Sequence, residues 1–391
     1  MFASRTEWDL GPSRLAEALA ARRAAGLPVL DLTESNPTRC GLAPAGEGVL
    51  AALAHPESLR YDPTPLGLPE ARAAVAGYYA AKGVALGADR ICLTASTSEA
   101  YGYLFRLLAD PGDEILVPRP SYPLLDFLAG LNDVRLVPYP LAYDGRWRID
   151  AEALRGAAGR RARALVAIHP NNPTGSFLAP GERDALVDFC RARDMALIVD
   201  EVFGDYALGP EGEGAATLAG TAGALTFVLS GLSKVAALPQ MKLGWIAASG
   251  PADLVRRAMG RLEVIADTYL SVGTPIQRAL PAVLAGRSEI QGRVLARLRA
   301  NWKALEDRAG RGGPVEAPAA QGGWYMTLRL PGVRDDEAWA LDLLVEDGVL
   351  VHPGYLFDFA EGGYLVVSLL PPEEVFREGI RGLIGRAEAS R

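Results

Sequence analysis

Lysine is the residue type in this sequence that points most directly to chemistry. The chain has 40 Lys and Arg residues together, but only four are lysines: Lys82, Lys234, Lys242 and Lys303. Two of the four lie in one segment, SGLSKVAALPQMKLGW, residues 230–245. Arginine stays protonated, whereas a partly buried lysine can lose its proton and act as a nucleophile or form a Schiff base. The composition therefore predicts an amine function in this segment.

Other polar side chains follow short apolar runs of the kind that form buried strands. Asn172 lies in HPNNPTG after ALVAI, Asp200 follows ALIV, and Lys234 closely follows LTFVLS. Residues 96–98, which follow ICLT, could cap a helix or bind an anion such as phosphate. Alternatively, NNPTG is a simple turn and Asp200 a solvated strand end. In parallel α/β sheets, ligands bind beyond the carboxyl ends of the strands, and these residues occupy such positions.

The elements that would position these residues alternate regularly from residue 90 onward. Short apolar runs such as ICLT, EILV, ALVAI, ALIVD and LTFVLS are separated by longer amphipathic segments. Strands that alternate with helices favour crossover units on a largely parallel sheet with helices on both faces. The sequence therefore predicts an α/β fold.

The pattern changes after Thr274, where a long amphipathic stretch at about 288–309 precedes two further apolar runs, GGWYMTLRL and GYLVVSLL. A helix is expected between these runs, at about 336–346. We expect a smaller α+β domain here, completed by the N-terminal segment. The predicted division is a large domain at 46–285 and a small domain at 1–45 and 286–391.

Charge and composition exclude several functional classes. A formal net charge of −7 provides no basic field for nucleic acid. The polar start and the absence of an apolar run near 18 residues favour a cytoplasmic protein with no membrane partner. Three cysteines and three histidines are scattered along the chain and are not spaced as metal ligands, so no metal site is expected.

Five motifs together resemble the class I/II aminotransferases, fold-type I enzymes that depend on pyridoxal 5'-phosphate. They are YDPTPLGLPEARAAVAGYY at 61–79, PRPSYP at 118–123, NNPTG at 171–175, DEVFGDY at 200–206 and SGLSK at 230–234. Each motif alone is weak, but the five occur in the order and with the spacing of the family. The resemblance extends over most of the chain.

The resemblance implies a role for each candidate site residue. Lys234 is similar to the lysine that forms a Schiff base with the cofactor, while Lys82 and Lys303 are expected to be surface lysines. Asp200 resembles the partner of the pyridine nitrogen, and Asn172 resembles the residue that hydrogen-bonds the ring hydroxyl. The other implied cofactor-binding residues are Tyr122, which stacks on the ring, and Ser96, Thr97, Ser98, Ser230, Ser233, Lys242 and Tyr61, near the phosphate. Tyr61 would reach the phosphate from a neighbouring subunit, which implies a homodimer with shared active sites.

Three positions near the cofactor depart from the family pattern. Lys242 stands where an arginine usually binds the phosphate, so a point charge replaces a two-pronged contact. Gly231 stands where a phosphate-binding hydroxyl is usual, with Ser230 and Ser233 as possible substitutes. Phe203 replaces a tyrosine that usually hydrogen-bonds the ring oxygen.

A fourth departure concerns the substrate. Val366 replaces the arginine that clamps the substrate carboxylate in the family, and valine cannot bind a carboxylate. Arg39 in ESNPTRC is the candidate replacement, although a solvent-facing arginine is the simpler interpretation, and Asn36 in the same segment is the second predicted substrate-binding residue.

The function predicted from these residues is transfer of an amino group between a small-molecule amino donor and an oxo acceptor. A lyase or decarboxylase on the same fold is the alternative, because the cofactor makes the carbanion and the pocket selects its fate. A cofactor-sensing domain of a transcription regulator is a third possibility, but the sequence contains no DNA-binding module.

Overall fold

The computed structural model of the protein describes residues 1–43, 46–209, 216–309 and 313–390. The strands are β1 (Leu30–Asp31), β2 (Ile91–Thr94), β3 (Glu114–Arg119), β4 (Arg135–Tyr143), β5 (Trp147–Ile149), β6 (Ala162–Ile168), β7 (Ala196–Asp200), β8 (Thr226–Gly231), β9 (Gly244–Ser249), β10 (Tyr325–Arg329), β11 (Val349–Leu350), β12 (His352–Pro353) and β13 (Tyr364–Ser368). The α-helices are α1 (Arg14–Ala24), α2 (Gly46–Leu53), α3 (Pro69–Ala80), α4 (Thr97–Leu108), α5 (Leu125–Leu131), α6 (Ala151–Ala157), α7 (Pro180–Ala192), α8 (Leu232–Val235), α9 (Ala252–Tyr269), α10 (Thr274–Ala285), α11 (Arg287–Glu306), α12 (Asp336–Asp342) and α13 (Glu373–Ala389).

A sheet of eight strands in the order β2-β9-β8-β7-β6-β3-β4-β5 forms the centre of the larger part. The strands from β8 through β7, β6 and β3 to β4 pair in parallel. By contrast, β9 is antiparallel to both of its neighbours, and β5 is antiparallel to β4. The prediction of an α/β fold with a mostly parallel sheet is confirmed.

Helices cover both faces of this sheet, which is why its central strands read as continuous apolar runs. Every residue of β7 and β8 is buried. Helices α4, α5 and α9 pack their apolar residues on one face. Helices α3, α6, α7 and α10 pack on the other face. Strands buried on both faces cannot alternate between apolar and polar residues, in agreement with ALIVD and TFVLSG.

The C-terminal part has its own sheet and core. Strands β10, β13 and β12 form an antiparallel sheet, and β1 of the N-terminal segment pairs in parallel with β11. Leu32 and Cys40 of the N-terminal segment share a core with Trp324, Trp339 and other buried residues of the C-terminal part. The domain boundaries at 45/46 and 285/286 stay predictions, because this core also takes in residues that follow β7.

Two features of the C-terminal part differ from the sequence-based expectation. The predicted helix at 336–346 is α12 followed by a π-helix, Leu343–Asp347, which ends at Gly348 with φ 72°. The short strands β1, β11 and β12 have two residues each, too few to produce a periodic pattern. Among the described residues, no helix combines the length and the apolar character needed to cross a membrane.

Candidate active site

A cavity of about 320 Å³ lies at the carboxyl edge of the large sheet. The predicted site residues that line it are Ser96, Thr97, Ser98, Tyr122, Asn172, Asp200, Ser233, Lys234 and Lys242. They follow β2, β3, β6, β7 and β8, so the parallel strands bring residues that are distant in sequence to one edge.

Lys234 lies on α8, a single helical turn directly after β8. Its Nζ atom is 4.5 Å from the ring centre of Trp324 and 5.4 Å from that of Phe203. Desolvation of the ammonium by the surrounding protein lowers the pKa of Lys234 to about 8. A larger fraction of this side chain is therefore neutral near physiological pH than of an ordinary lysine, and the neutral amine is the nucleophilic form.

Asp200 is a buried carboxylate at the end of β7. Its Oδ2 accepts a hydrogen bond from the Tyr101 hydroxyl at 3.1 Å, and its Oδ1 accepts one from the Val202 amide at 3.0 Å. Desolvation raises the pKa of Asp200 to about 6, and no cation among the described residues offsets it. A ligand that brings a cationic N–H to this carboxylate would supply the missing partner.

The two asparagines of NNPTG have different roles. Asn171 closes the turn, because its Oδ1 accepts hydrogen bonds from the Thr174 amide at 3.2 Å and hydroxyl at 2.8 Å. Asn172 lines the cavity, is only 8% exposed and has no hydrogen-bond partner for its Oδ1 atom. The motif therefore forms a turn and also places an amide oxygen without a hydrogen-bond partner at the cavity wall.

The segment at 96–98 forms the N-terminus of α4 beside the cavity. The Ser96 Oγ atom accepts a hydrogen bond from the Glu99 amide at 3.1 Å, and Glu99 in turn accepts one from the Ala95 amide at 2.7 Å. Ser96 is therefore the N-cap of α4, its hydroxyl proton is still available to a ligand, and Glu99 holds the amide of the residue before the cap. Lys242 is exposed and lines the same cavity, with φ 50°. The helix N-terminus and the ammonium together favour an anion.

The structure explains why glycine occupies position 231. A Cβ atom at Gly231 would lie 2.9 Å from the Cα atom of Gly244 and 3.1 Å from the carbonyl oxygen of Leu243. Both contacts are with backbone at the start of the paired strand β9, at Gly244 and the residue before it, and backbone cannot move aside as a side chain could. Ser233 lines the cavity, whereas Ser230 is buried, does not line it and has no hydrogen-bond partner.

Three other predicted residues lie outside this cavity. Tyr61 is 77% exposed and lies beside a separate depression. The Arg39 side chain is 75% exposed and pairs with Glu34 at 3.4 Å. The Asn36 Oδ1 atom accepts hydrogen bonds from the amide and hydroxyl of Thr38. None of the three is brought to the cavity by this chain alone.

Two hydroxyl-bearing residues of the cavity wall, Ser35 and Tyr325, were not identified from the sequence. Burial raises the pKa of Tyr325, and a hydrogen bond with Ser35 opposes this shift without cancelling it. Tyr325 therefore stays protonated and can donate a hydrogen bond into the cavity. The run GGWYMTLRL indicated a strand, but its residue pattern does not show that Tyr325 reaches the cavity.

Comparison with known proteins agrees with this geometry. Residues 29–378 match the family model for aminotransferase class I and II. The chain is 26% identical over 357 residues to the glutamate-pyruvate aminotransferase AlaA of Escherichia coli K12, a match that covers 88% of this chain and 87% of that protein. It is 28% identical over 293 residues to an alanine aminotransferase of Mycobacterium tuberculosis, covering 72% and 67% of the two chains. The solved alanine aminotransferase from Pyrococcus furiosus superposes with a TM-score of 0.91 at 25% identity over 100% of both chains.

The chain therefore belongs to the class I and II aminotransferases. The predicted family, activity class and cofactor are confirmed: the protein is an aminotransferase that depends on pyridoxal 5'-phosphate.

The buried charge of Asp200 leads to a prediction for the cofactor-free protein. Above pH 6 the carboxylate is ionised in both the folded and the unfolded state, and its desolvation destabilises the fold. Below pH 6 the folded state takes up a proton before the unfolded state does, and this penalty is lost. A pKa raised from 3.8 to about 6 corresponds to an upper limit of about 3 kcal/mol.

We therefore expect Asp200→Asn to raise the free energy of unfolding at pH 8 by up to about 3 kcal/mol and to have little effect near pH 4. Urea denaturation at several pH values measures this difference, with Asp253→Asn, an exposed carboxylate, as the control. A gain that does not change with pH would contradict the prediction.

The contact at Gly231 gives a second prediction. Gly231→Ser should lower the free energy of unfolding by about 1–3 kcal/mol, because the new Cβ atom meets backbone. The control is Gly260→Ala in α9, where a Cβ atom meets nothing within 4 Å and should stabilise the helix by about 0.5–1 kcal/mol. A serine variant as stable as the parent would show that the β8–β9 pair can separate at this point.

Proposed function

We propose that the protein moves an amino group between an amino acid and a 2-oxo acid, with Lys234 as the residue that binds the cofactor covalently. The observation that carries this proposal is the position of a lysine of lowered pKa in one cavity with Asp200 and Asn172. The names of two relatives, a glutamate-pyruvate and an alanine aminotransferase, favour small amino acids and their oxo acids as the substrates.

The cavity residues fit pyridoxal 5'-phosphate. The unpaired Asp200 carboxylate would hold the pyridine N–H, and the free amide of Asn172 would hydrogen-bond the ring hydroxyl. Tyr122 would cover one ring face. The N-terminus of α4 and Lys242 would hold the phosphate. When bound, the cofactor supplies an electron sink for charge that develops at the substrate α-carbon.

Lys234 has a second task in this proposal. When it is not bonded to the cofactor, the Nζ atom would accept the proton from the substrate α-carbon, hold it as the ammonium, and donate it to a carbon of the cofactor. A lowered pKa suits this task, because efficient proton transfer needs a group whose pKa lies near the working pH. The nearby rings of Trp324 and Phe203 can stabilise the protonated form through cation–π contacts.

Substrate carboxylate recognition must differ from the arginine clamp expected from the family. Val366 is completely buried in β13, and none of the described residues that line the cavity is an arginine. Ser35, Asn172 and Tyr325 offer neutral hydrogen-bond donors on the cavity wall. We propose that these donors hold the carboxylate, and that the exposed Arg39 contributes little.

The predicted homodimer is part of the same proposal. Tyr61 and the neighbouring Leu59, 96% exposed, present apolar surface outside this chain's own cavity. A second copy that covers this surface would allow Tyr61 to complete the phosphate site of its partner.

The assignment of Lys234 is tested by covalent labelling. Borohydride treatment of the cofactor-loaded protein should attach the cofactor to Lys234, and Lys234→Ala should fold but show neither label nor activity. Lys303→Ala is the control, because Lys303 is an exposed residue paired with Asp307. Peptide mapping that places the label on Lys82 or Lys242 would overturn the assignment.

A single-turnover measurement distinguishes transamination from the alternative reactions. Incubation with an amino acid and no acceptor should release one equivalent of 2-oxo acid per subunit and no carbon dioxide. Release of carbon dioxide would favour a decarboxylase instead.

Carboxylate recognition is tested by comparing two variants. Tyr325→Phe removes a hydrogen bond to a charged group, worth about 1.5–3 kcal/mol, and should raise KM for amino acids about tenfold or more. Arg39→Ala removes only an exposed ion pair and should change KM little. The reverse order of effects would restore Arg39 as the carboxylate-binding residue.

A further inference from the structure

Lys82 is not the surface lysine that the sequence indicated. Its side chain is only 21% exposed, and its Nζ atom lies 2.5 Å from the Oδ1 atom of Asp205, whose side chain is 11% exposed. The same ammonium lies 4.6 Å from the ring centre of Tyr78. A largely buried ion pair is stable only where hydrogen bonds satisfy both charges, so the groups around this pair must supply them.

Three side chains contact the carboxylate of Asp205. The Tyr78 hydroxyl donates to it at 3.1 Å, Lys82 pairs with its Oδ1, and Gln291 Nε2 donates to its Oδ2 at 2.8 Å. We call Tyr78, Lys82, Asp205 and Gln291 the Asp205 cluster. It joins the end of α3, the segment after β7, and helix α11.

The Asp205 cluster reaches the turn that carries Lys234. Gln291 Nε2 also donates to the carbonyl oxygen of Val235 at 2.9 Å. The hydroxyl of Tyr206, the residue after Asp205, donates to the carbonyl oxygen of Lys234 at 2.5 Å. The carbonyls of both residues at the end of α8 are therefore held by side chains from outside the helix.

These contacts matter because α8 has only four residues. The last four carbonyls of a helix have no partner within it, and a single turn cannot hold its own geometry in water. External side chains therefore add to the backbone hydrogen bonds from Ala236 and Ala237 in fixing the direction in which Lys234 projects. Two such side chains are available here, and the orientation of Gln291 depends on Asp205 and hence on Lys82.

Gln291 also connects this turn to the C-terminal part. Its helix, α11, places Ile290, Val294 and Leu298 in the core shared with β10 and β13. Tyr325 of the cavity wall lies on β10. A shift of α11 would thus act on the Lys234 turn and on the substrate side of the cavity together.

We infer that Lys82, Asp205 and Gln291 are positioning residues that set the orientation of Lys234. This inference rests on the proposed role of Lys234 as the cofactor-binding residue. None of the three residues lines the cavity, so each acts through the backbone of α8 and not by touching the substrate.

The first test is hydrogen exchange in the cofactor-free protein, which does not depend on the reaction. Gln291→Leu removes the donor to Val235 and should speed exchange of the Ala236 and Ala237 amides, which close this turn, about five- to tenfold. Amides in the middle of α11 report whether the helix itself is intact. Unchanged exchange at Ala236 and Ala237 would overturn the inference.

The second test uses the cofactor-loaded enzyme. Gln291→Leu should lower kcat about tenfold or more while KM changes less than about twofold, because a misdirected nucleophile affects the reaction and not substrate binding. The pH midpoint of the cofactor absorbance should also shift. A variant that lowers Tm but changes neither kcat nor this midpoint would show a purely structural role.

Variants of Lys82 provide the rescue and the matched control. Lys82→Met should reproduce the effects of Gln291→Leu, and Lys82→Arg, which keeps the cation, should restore most of kcat. Lys303→Met breaks an exposed lysine–aspartate pair and should have no effect. Equal loss in Lys82→Met and Lys82→Arg would contradict a role for the charge. If the covalent label is absent from Lys234, the proposed function fails, whereas the exchange experiment still tests the cluster.

Discussion

Desolvation at the carboxyl edge of the sheet is the constraint on which the candidate active site depends. It lowers the pKa of Lys234 and raises that of Asp200, so burial shifts each group toward its neutral form. Neither group relieves the other with an ion pair. The cavity therefore holds a reactive amine and an uncompensated carboxyl group at the same time, a combination that a ligand with an electrophilic carbon and a cationic ring nitrogen would satisfy.

Backbone packing sets the second constraint. Gly231 and Gly244 face each other across β8 and β9 at a distance that leaves no room for a Cβ atom, and α8 begins at the next residue. The turn that carries Lys234 thus begins at a strand whose position is fixed by packing. At its end, the side chains of Tyr206 and Gln291 donate hydrogen bonds to its last two carbonyl groups. Its position is determined at both ends by parts of the chain that are distant in sequence.

Local patterns predicted the elements and several site residues, because each of those residues lies at the end of its own strand or within a few residues after it. The apolar runs marked β2, β3, β6, β7 and β8, and the residues after them include Asn172, Asp200 and Lys234. The sequence did not show Tyr325 at the cavity or Lys82 in a buried pair, since both depend on contacts between distant elements. The carboxylate-binding role of Arg39 could not be judged either, because exposure is decided by the packing of the whole N-terminal segment.

The scarcity of lysine limits the number of amines on the protein that can react with the cofactor aldehyde. An aldehyde condenses with any accessible neutral amine, whereas a guanidinium group stays protonated and unreactive. Of the four lysines, Lys82 is largely buried in an ion pair, and Lys303 is the one with a side chain 75% exposed outside the cavity. The outer surface therefore carries its positive charge with few amines that could compete with the proposed Lys234 for the cofactor aldehyde.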